Sequence, residues 1–328
     1  MKKWILYLRC ICSISIFLLL ISGCSAKRGL QTNKPSTENN KTGIPPVTDV
    51  TNTPVAEKIT IKPPATQTPE PEIILTDMSG YFNGLNGSAV IYNASSRQYT
   101  IYNKKLALKR KSPCSTFKII SSLIALENGI IKPGKSVRKW SGEIFWNESW
   151  NKDIGFKEAF QTSCIWYFRE VINETGKKEM QKQLNKLQYG NCDISDWKGK
   201  LNTNNNNRFL TGFWVESSLK ISPKEQTEVM ERIFGNQSAY SKKSQKRLKD
   251  AMLITDQAKP CIPIYGKTGT GVKQGTTIDA WFTGTAGTKE NQIYFCIYLG
   301  KTNNREVTSS IAKEIAIQII SHYYTKNQ

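Results

Sequence analysis

The folded part of the chain can be organised around the segment Ser115-Thr-Phe-Lys-Ile-Ile-Ser-Ser-Leu-Ile-Ala-Leu-Glu-Asn128. Its apolar residues fall on more than one face of a helix, which is typical of a helix buried inside a domain. Gly129 follows, and glycine at this place favours a helix end because it adopts the left-handed conformation easily. The segment therefore predicts a central buried helix that begins at Ser115.

Strand patterns lie near both ends of the folded part, and helical patterns lie between them and at the C-terminus. The strand patterns cover residues 87–93, 98–102, 280–286 and 292–299. The further helical patterns cover residues 156–175, 178–187 and 308–324. This order predicts a mixed α/β (α+β) fold, with an antiparallel sheet flanked by helices and an inserted all-helical subdomain. Catalytic groups are expected in the cleft between the two parts.

Residues 1–24 are similar to a bacterial export signal. A basic start leads into a short apolar run at 11–21, which is shorter than the roughly 20 apolar residues of a membrane-spanning helix. The run ends in Ser22-Gly23-Cys24, which resembles the lipobox of lipoproteins and predicts a lipidated Cys24 after cleavage. The alternative is an anchor that is never cleaved. The lipoprotein interpretation predicts a chain exported and attached to the outer face of a bacterial cytoplasmic membrane.

Residues 25–75 predict a disordered linker. No aromatic residue occurs from 25 to 80, and eight of the 13 prolines lie there among Thr, Asn and Lys. Such a segment cannot bury enough apolar surface to offset its ordering entropy. The expected organisation is a signal peptide at 1–24, the linker at 25–75 and a folded domain at 76–328.

The charge and the scarcity of histidine exclude several kinds of function. A net charge of +20 would suit a nucleic-acid partner, but export and the lack of a basic helix interleaved with aromatic residues argue against one. The single histidine, His322, rules out both a His-based catalytic triad and a His-ligated metal site. Five cysteines follow Cys24, with no zinc-site spacing and in an odd number, so at least one thiol is expected to be unpaired.

Ser115 and Lys118 are the first candidate catalytic pair. A serine and a lysine three residues apart share one helix face, with Cβ atoms about 5–6 Å apart. Apolar surroundings lower the pKa of a lysine, and a neutral amine can act as a base. The Ser-x-x-Lys spacing recurs at five other places, so the spacing alone does not identify a catalytic pair. Ser115 is distinguished by Pro113 before it and by the apolar helix after it.

The second candidate is Lys267-Thr268-Gly269-Thr270-Gly271. A lysine and a hydroxyl beside glycines on a strand edge can bind a substrate carboxylate, while a backbone N–H points at the reacting carbonyl. The alternative is a glycine-rich hairpin with exposed polar residues. Both interpretations are open from this segment alone.

Five motifs in order are together similar to the class D (oxacillinase-type) serine β-lactamases, a branch of the penicillin-recognising serine enzymes. They are Ser-Thr-Phe-Lys at 115–118, Tyr-Gly-Asn at 189–191, the Phe-Trp-x-Glu-x-x-Leu-Lys-Ile-Ser segment from 213, Lys-Thr-Gly at 267–269 and Ala-Trp-Phe-x-Gly at 280–284. The resemblance covers the chain from about Gly87 to its C-terminus. It implies a β-lactamase/transpeptidase-like fold for the domain at 76–328 and makes that domain catalytic.

The resemblance implies a role for each motif residue. Ser115 would be the acylated nucleophile and Lys118 the general base, carboxylated by carbon dioxide or bicarbonate, with no metal or other cofactor. Trp214 would donate a hydrogen bond to the carbamate through its indole N–H. The backbone N–H groups of Ser115 and Thr270 would form the oxyanion hole. Lys267, Thr268 and Gly269 would belong to the substrate-binding strand, where Lys267 and Thr268 bind the carboxylate.

The chain departs from the family pattern at three places. The Ser-x-Val motif is Ser163-Cys164-Ile165, with Ser163 as the expected proton relay and Ile165 beside the substrate. The arginine that often binds the carboxylate aligns with Thr308, which leaves Arg305 as the candidate substitute. An Asn-rich insertion at 196–208 is expected to form a surface loop near the cleft.

The implied function is hydrolysis of β-lactams such as penicillins and cephalosporins, and thus antibiotic resistance. One alternative is a β-lactam-sensing domain that acylates without turnover. The known membrane-bound sensors carry several spanning helices and a His-Glu-x-x-His metalloprotease, whereas this chain has one apolar run and one histidine. A peptidoglycan transpeptidase is disfavoured by Ile165, because the third residue of that motif is usually Asn in transpeptidases.

Overall fold

A six-stranded sheet runs through the part of the chain that the computed structural model describes, residues 69–132, 134–201, 207–255, 262–288, 290–302 and 305–326. The strands are β1 (Glu72–Leu75), β2 (Gly87–Asn93), β3 (Gln98–Tyr102), β4 (Ile264–Lys273), β5 (Thr276–Ala286) and β6 (Ile293–Gly300). Their order across the sheet is β1-β3-β2-β6-β5-β4. The chain thus builds the sheet from both of its ends, as predicted.

The predicted strands are confirmed closely. β2 and β3 have the predicted bounds, and the other two patterns fall within β5 and within one residue of β6. The glycine-rich segment around Lys267 is both a strand and one arm of a hairpin, because β4 pairs with β5 around Gln274 and Gly275. Both turn residues have positive φ, 48° and 73°, which a tight turn requires.

The predicted linker at 25–75 ends too late. β1 consists of residues that were assigned to it, and it pairs with β3 in parallel, whereas the other strand pairs are antiparallel. Glu-Ile-Ile-Leu has a β-branched strand composition that the surrounding prolines outweigh in a window average. The backbone of β3 supplies the partner that the local sequence does not reveal.

The helices in the described residues lie mainly between β3 and β4. They are α1 (Ser79–Phe82), α2 (Lys104–Ala107), α3 (Lys118–Glu127), α4 (Phe156–Gln161), α5 (Ile165–Thr175), α6 (Lys177–Leu187), α7 (Pro223–Phe234), α8 (Lys242–Met252) and α9 (Ser309–Lys326). Two predicted helices need correction. Ser115 lies in a 3₁₀ turn, Cys114–Phe117, just before α3. The pattern at 156–175 is two helices, α4 and α5, because the chain is redirected at Ser163.

Two apolar clusters fill the two faces of the sheet. Side chains alternate between faces along a strand, so Val90 and Tyr92 of β2 join the helical side, while Ala89 and Ile91 join the other side. The helical side includes α3, α5 and α7, and the other side is covered by α1 and α9. α3 is buried along nearly its whole length, as its sequence predicts.

Several predictions fall outside the described residues. The signal peptide, Cys24 and the linker up to residue 68 lie there, as does Cys261. The remaining cysteines after Cys24, namely Cys114, Cys164, Cys192 and Cys296, are free thiols. Within the described ranges, no helix has the length and apolar character needed to cross a membrane.

Candidate active site

The nucleophile candidate sits on a turn that is tied to a distant loop. Cys114, just before Ser115, has a left-handed backbone with φ of 49°, and its N–H donates to the carbonyl oxygen of Trp214 at 3.0 Å. The hydroxyl of Ser112 donates to the same carbonyl at 3.1 Å. Ser115 itself is half-buried. The loop that carries Trp214 therefore fixes the turn in place. This contact holds the side chain of Ser115 at the edge of a cavity.

Lys118 is buried beneath Ser115. Its side chain is 1% exposed, and Nζ lies 3.0 Å from Ser115 Oγ. Burial lowers the pKa of Lys118 to about 8, because an ammonium ion loses its hydration there. The ring of Phe168 is 5.5 Å from Nζ. A substantial neutral fraction of this amine can therefore accept a proton from the serine hydroxyl near neutral pH.

The buried amine should cost stability. The folded pKa is below the usual 10.5, so the folded state binds fewer protons than the unfolded state between about pH 8 and 10.5, and stability rises with pH across that window. At pH 7 the expected cost is about 3 kcal/mol, from 1.36 kcal/mol per pKa unit. In buffer free of carbon dioxide, Lys118→Met should thus raise the free energy of unfolding at pH 7 by about 1–3 kcal/mol. The gain should fade toward pH 10.5. Urea titrations at pH 7 and at pH 10.5 measure the gain in unfolding free energy. A gain that is independent of pH would contradict the burial of a titrating amine as its cause.

Ser163 lies at the break between α4 and α5. Its backbone is left-handed with φ of 62°, and its Oγ is buried without a hydrogen-bond partner in the described structure. An orphaned buried hydroxyl costs free energy unless a ligand or a modified side chain pairs with it. Cys164 is buried beside it, and burial raises the pKa of its thiol to about 11, so the thiol stays neutral. Ser163 is thus the polar group of this wall.

A cavity of about 560 Å³ brings together Ser115, Ser163, Ile165 and Thr270. Its remaining wall is largely apolar, with Trp146, Trp150, Leu210, Val215 and Val272 among its residues. Trp146 is 77% exposed at this wall, and its ring is tilted by 59° against that of Trp150, with ring centroids 5.0 Å apart. Trp146 could not be distinguished from core tryptophans by its sequence, because its exposure depends on the loop that carries it.

β4 forms the opposite wall and touches the nucleophile turn. A Cβ atom at Gly269 would lie 2.9 Å from Thr116 Cγ2 and 3.0 Å from the carbonyl oxygen of Pro113. Lys267 is 4% exposed, and its Nζ donates to Thr268 O at 3.1 Å and Thr268 Oγ1 at 3.2 Å. Burial, and then the charge of Lys118, hold the pKa of Lys267 well below its usual value. The strand thus carries a second buried lysine, whose charged form is disfavoured by burial.

Trp214 packs behind the nucleophile. It is buried, and its ring lies 6.0 Å from that of Phe117, the residue before Lys118. Its backbone carbonyl anchors the turn at Cys114 and Ser112. The motif therefore has a structural task that the sequence did not predict, and the hydrogen bond from its indole to a carbamate stays a prediction.

Glu216 ties three segments together, a role that the motif containing it did not predict. Its N–H donates to Ser112 Oγ at 2.9 Å, and its carboxylate accepts a hydrogen bond from the N–H of Val272. Val272 marks a register shift in β4, two residues after Thr270. Glu216 also has a left-handed backbone with φ of 51°, which a sequence does not reveal for a glutamate. The network joins the nucleophile turn, the Trp214 loop and the end of β4.

The Asn-rich insertion is described only at its ends. Asp196 lies at its start and Asn207 and Arg208 at its end, with residues 202–206 outside the described ranges. The Nη1 of Arg208 donates to the carbonyl of Gly199 at 2.9 Å. Leu210, two residues after the insertion, lines the Ser115 cavity. The end of the insertion therefore lies near the cavity, as expected.

Arg305 does not lie at this site, so its predicted role is wrong. Its guanidinium donates to the carbonyl of Asn83 at the end of α1, and it lines a separate cavity between α1 and α9. Thr308, the aligned position, accepts a hydrogen bond from the N–H of Ile311 at 3.1 Å and so caps α9. Spacing along the sequence could not show which side of the sheet this loop approaches.

Among the described residues, no group of His, Cys, Asp and Glu is placed to hold a metal ion. The groups available for chemistry are a buried lysine beside a serine, a second buried lysine on a strand and a buried hydroxyl without a hydrogen-bond partner.

Comparison with known proteins gives one family and two kinds of relative. The family model for the penicillin binding protein transpeptidase domain matches residues 86–321. Regulatory protein BlaR1 of Bacillus licheniformis is 30% identical over 246 residues, covering 74% of this chain and 38% of that protein. The chain thus spans well under half of this relative. Probable β-lactamase YbxI of Bacillus subtilis (strain 168) is 30% identical over 242 residues, covering 74% and 82%.

Solved structures give the same two kinds of relative. The C-terminal domain of the Bacillus licheniformis BlaR penicillin-receptor matches with a TM-score of 0.66 and 28% identity, covering 78% of this chain and 98% of that one. A class D β-lactamase from Bacillus subtilis matches with a TM-score of 0.64 and 28% identity, covering 76% and 95%. The described fold is therefore one that both kinds share.

Proposed function

The chain belongs to the penicillin-binding protein transpeptidase-domain family of penicillin-recognising serine proteins, and on that premise we propose that it is a class D serine β-lactamase. The observation that carries the proposal is the buried Lys118, whose Nζ lies 3.0 Å from Ser115 Oγ. A serine attacks a carbonyl only when a base takes its proton, and Lys118 is the base within reach.

In the proposed acylation, Lys118 accepts the hydroxyl proton of Ser115, and Ser115 Oγ attacks the lactam carbonyl. The N–H groups of Ser115 and Thr270 stabilise the oxyanion. Preorganised donors at such a place typically contribute 10²–10³-fold in rate each. Ser163 relays a proton to the leaving lactam nitrogen, a role supported by its place in the same cavity and its unpaired Oγ. The ring opens, and the drug remains as an ester on Ser115.

The proposal includes a carboxylated Lys118. Carbon dioxide bound to the neutral amine would supply a carbamate, an anionic base that suits both acylation and deacylation. Two observations fit this group, the lowered pKa of Lys118 and the orphaned hydroxyl of Ser163. The ring of Phe168 lies beside the amine of Lys118, and such apolar surroundings favour the neutral, reactive form.

The proposal also covers the substrate and the location. The substrates are penicillins and cephalosporins, whose carboxylate would bind at Lys267 and Thr268, and their hydrolysis would give antibiotic resistance. The chain would be exported and held at the outer face of the membrane by a lipid on Cys24. The lipobox-like sequence supports the anchor, and incorporation of labelled palmitate that is lost in Cys24→Ala tests it.

The second candidate function is a penicillin receptor that acylates on Ser115 and keeps the acyl group. It is favoured by the similarity to a penicillin-receptor domain over nearly all of that domain. Both functions require the same acylation, and they differ in the fate of the ester.

One paired experiment separates the two candidates. The full chain is mixed with a chromogenic cephalosporin in bicarbonate buffer, and turnover and intact mass are followed together. Sustained turnover with a transient adduct, both lost in Ser115→Ala, is the result expected for a β-lactamase. A stable one-to-one adduct without turnover would support the receptor function in place of the β-lactamase function. The absence of any adduct would contradict both functions.

A further inference from the structure

The two ends of the Asn-rich insertion meet in a neck, formed by residues 197–199 and 208–213. The rings of Trp197 and Phe213 stack across it, with centroids 5.2 Å apart and an interplanar angle of 21°. The next residue along the chain is Trp214, whose carbonyl anchors the nucleophile turn. The neck thus leads directly into the residue that holds this turn.

Arg169 of α5 contacts both sides of this neck. Its Nη1 donates to the carbonyl oxygen of Trp197 at 3.0 Å and to that of Thr211 at 3.2 Å. Its guanidinium carbon lies 5.8 Å from the ring centroid of Trp214, within the range of a cation–π contact. One side chain thus joins the two sides of the neck to each other and to the indole ring that follows.

The guanidinium of Arg169 is half-buried and is held by neutral groups. Burial, and then the nearby charge of Arg208, lower the pKa of Arg169, although an arginine remains charged in a protein. A partly buried cation needs hydrogen-bond acceptors that replace its hydration, and the two carbonyls of the neck supply them. The contacts of Arg169 are therefore costly to break, and they favour one position of the neck relative to α5.

The same helix carries groups of the reaction site. α5 begins at Ile165, which lines the cavity of the nucleophile, and the ring of Phe168 lies 5.5 Å from the amine of Lys118. Arg169 is the next residue along this helix. It therefore fixes the neck to the element that lies beside the lysine amine, which holds the indole of Trp214 in a defined place relative to that amine.

We propose that Arg169 is a positioning residue, which holds the neck of the insertion against α5 and thereby fixes the indole of Trp214 for its contact with a carboxylated Lys118. The assignment rests on the proposed function, because that function supplies the carbamate to which the indole donates. A neck that shifts would leave the carbamate without this donor, and carbon dioxide would then be lost more readily. Arg169 thus acts on the reaction through Trp214 and not by contact with the substrate.

The test measures how much bicarbonate hydrolysis requires. The full chain is depleted of carbon dioxide, and turnover of a chromogenic cephalosporin is followed as bicarbonate is added back. Arg169→Met should raise the bicarbonate concentration for half-maximal activity about tenfold, as expected for the loss of a charge-assisted hydrogen bond, while saturating bicarbonate restores most of the activity. Arg169→Lys should lie closer to the wild type, because both hydrogen bonds come from one nitrogen and an ammonium group can donate to two carbonyls.

Arg232→Met is the matched control. Arg232 also donates to a backbone carbonyl, that of Leu187 at 2.9 Å, so its loss is a similar change at the ends of α6 and α7. This variant should require as much bicarbonate as the wild type. An unchanged requirement in Arg169→Met, or an equal rise in Arg232→Met, would overturn the assignment. If Arg169→Met does not fold, Arg169→Gln, whose side chain is two bonds shorter than that of arginine, takes its place with the same expected result.

A second measurement needs no β-lactam. Hydrogen exchange followed by mass spectrometry reports on the N–H of Cys114, which donates to the carbonyl of Trp214. Arg169→Met should speed the exchange of this N–H about tenfold, and Arg232→Met should leave it unchanged. Unchanged exchange in Arg169→Met would overturn the assignment. If the wild type shows no turnover or needs no bicarbonate, the proposed function or its carbamate fails, and the exchange measurement alone decides whether Arg169 positions the loop of Trp214.

Discussion

Lys118→Ala should lower the steady-state rate of β-lactam hydrolysis by at least about a thousandfold. A positioned general base typically contributes 10²–10⁴-fold, and this lysine is proposed to serve in both acylation and deacylation. The reason lies in its geometry, since its amine is within hydrogen-bond distance of Ser115 Oγ and buried away from water. Stopped-flow acylation and steady-state hydrolysis measure the two steps separately.

Two further variants test whether Lys118 acts as a base or only as a positive charge. Lys118→Arg keeps a positive charge but cannot give up its proton near neutral pH, so it should be as inactive as Lys118→Ala. Lys139→Ala changes the lysine of another Ser-x-x-Lys copy, where the side chain is 87% exposed and paired with Asp153, and should leave hydrolysis unchanged. Near-normal turnover in Lys118→Arg would rule out proton transfer by this residue. Circular dichroism checks that each variant is folded.

Gly269→Ala should slow acylation by roughly 10–100-fold, as expected when a reacting group is displaced by about 1 Å. The added Cβ would lie 2.9 Å from Thr116 Cγ2 and 3.0 Å from the carbonyl of Pro113, closer than packed atoms tolerate. Either β4 or the nucleophile turn must then move, and Thr270 is the next residue on β4. The loss should fall on the acylation rate constant, measured with a saturating penicillin.

Gly80→Ala is the matched control for this substitution. No atom lies within 4 Å of the Cβ that would be added at Gly80, so the same chemical change meets open space there. It should acylate at the wild-type rate. Wild-type acylation in Gly269→Ala would mean that the contact between β4 and the turn does not hold the site in place.

The sequence predicted the overall fold well because its strongest signals are local. β2 and β3 place side chains alternately on two covered faces, and α3 carries apolar residues on more than one face. Such patterns can be recognised without knowing which segments pack against them. The solved structures of class D β-lactamase and penicillin-receptor domains confirm the predicted architecture. β1 was missed because its pairing with β3 is not visible in its own short sequence.

The site was predicted less completely, because several of its features depend on tertiary contacts. Ser163 interrupts a regular helical pattern, and its left-handed backbone is fixed by packing around it. Trp146 faces a cavity that exists only once distant segments meet. Arg305 was assigned by its place in the sequence, while the direction of its loop follows from the contact with Asn83. The motifs identified the reactive residues, whereas tertiary packing determines which other residues lie beside them.

We expect that Ser115, activated by Lys118, is acylated by β-lactams. The most direct measurement is peptide mapping by mass spectrometry after the full chain has been mixed with benzylpenicillin and quenched in acid. One penicilloyl group is expected on the peptide that contains Ser115, with almost none in Lys118→Ala at the same time point. A penicilloyl group on another residue, or full labelling of Ser115 in Lys118→Ala, would contradict it.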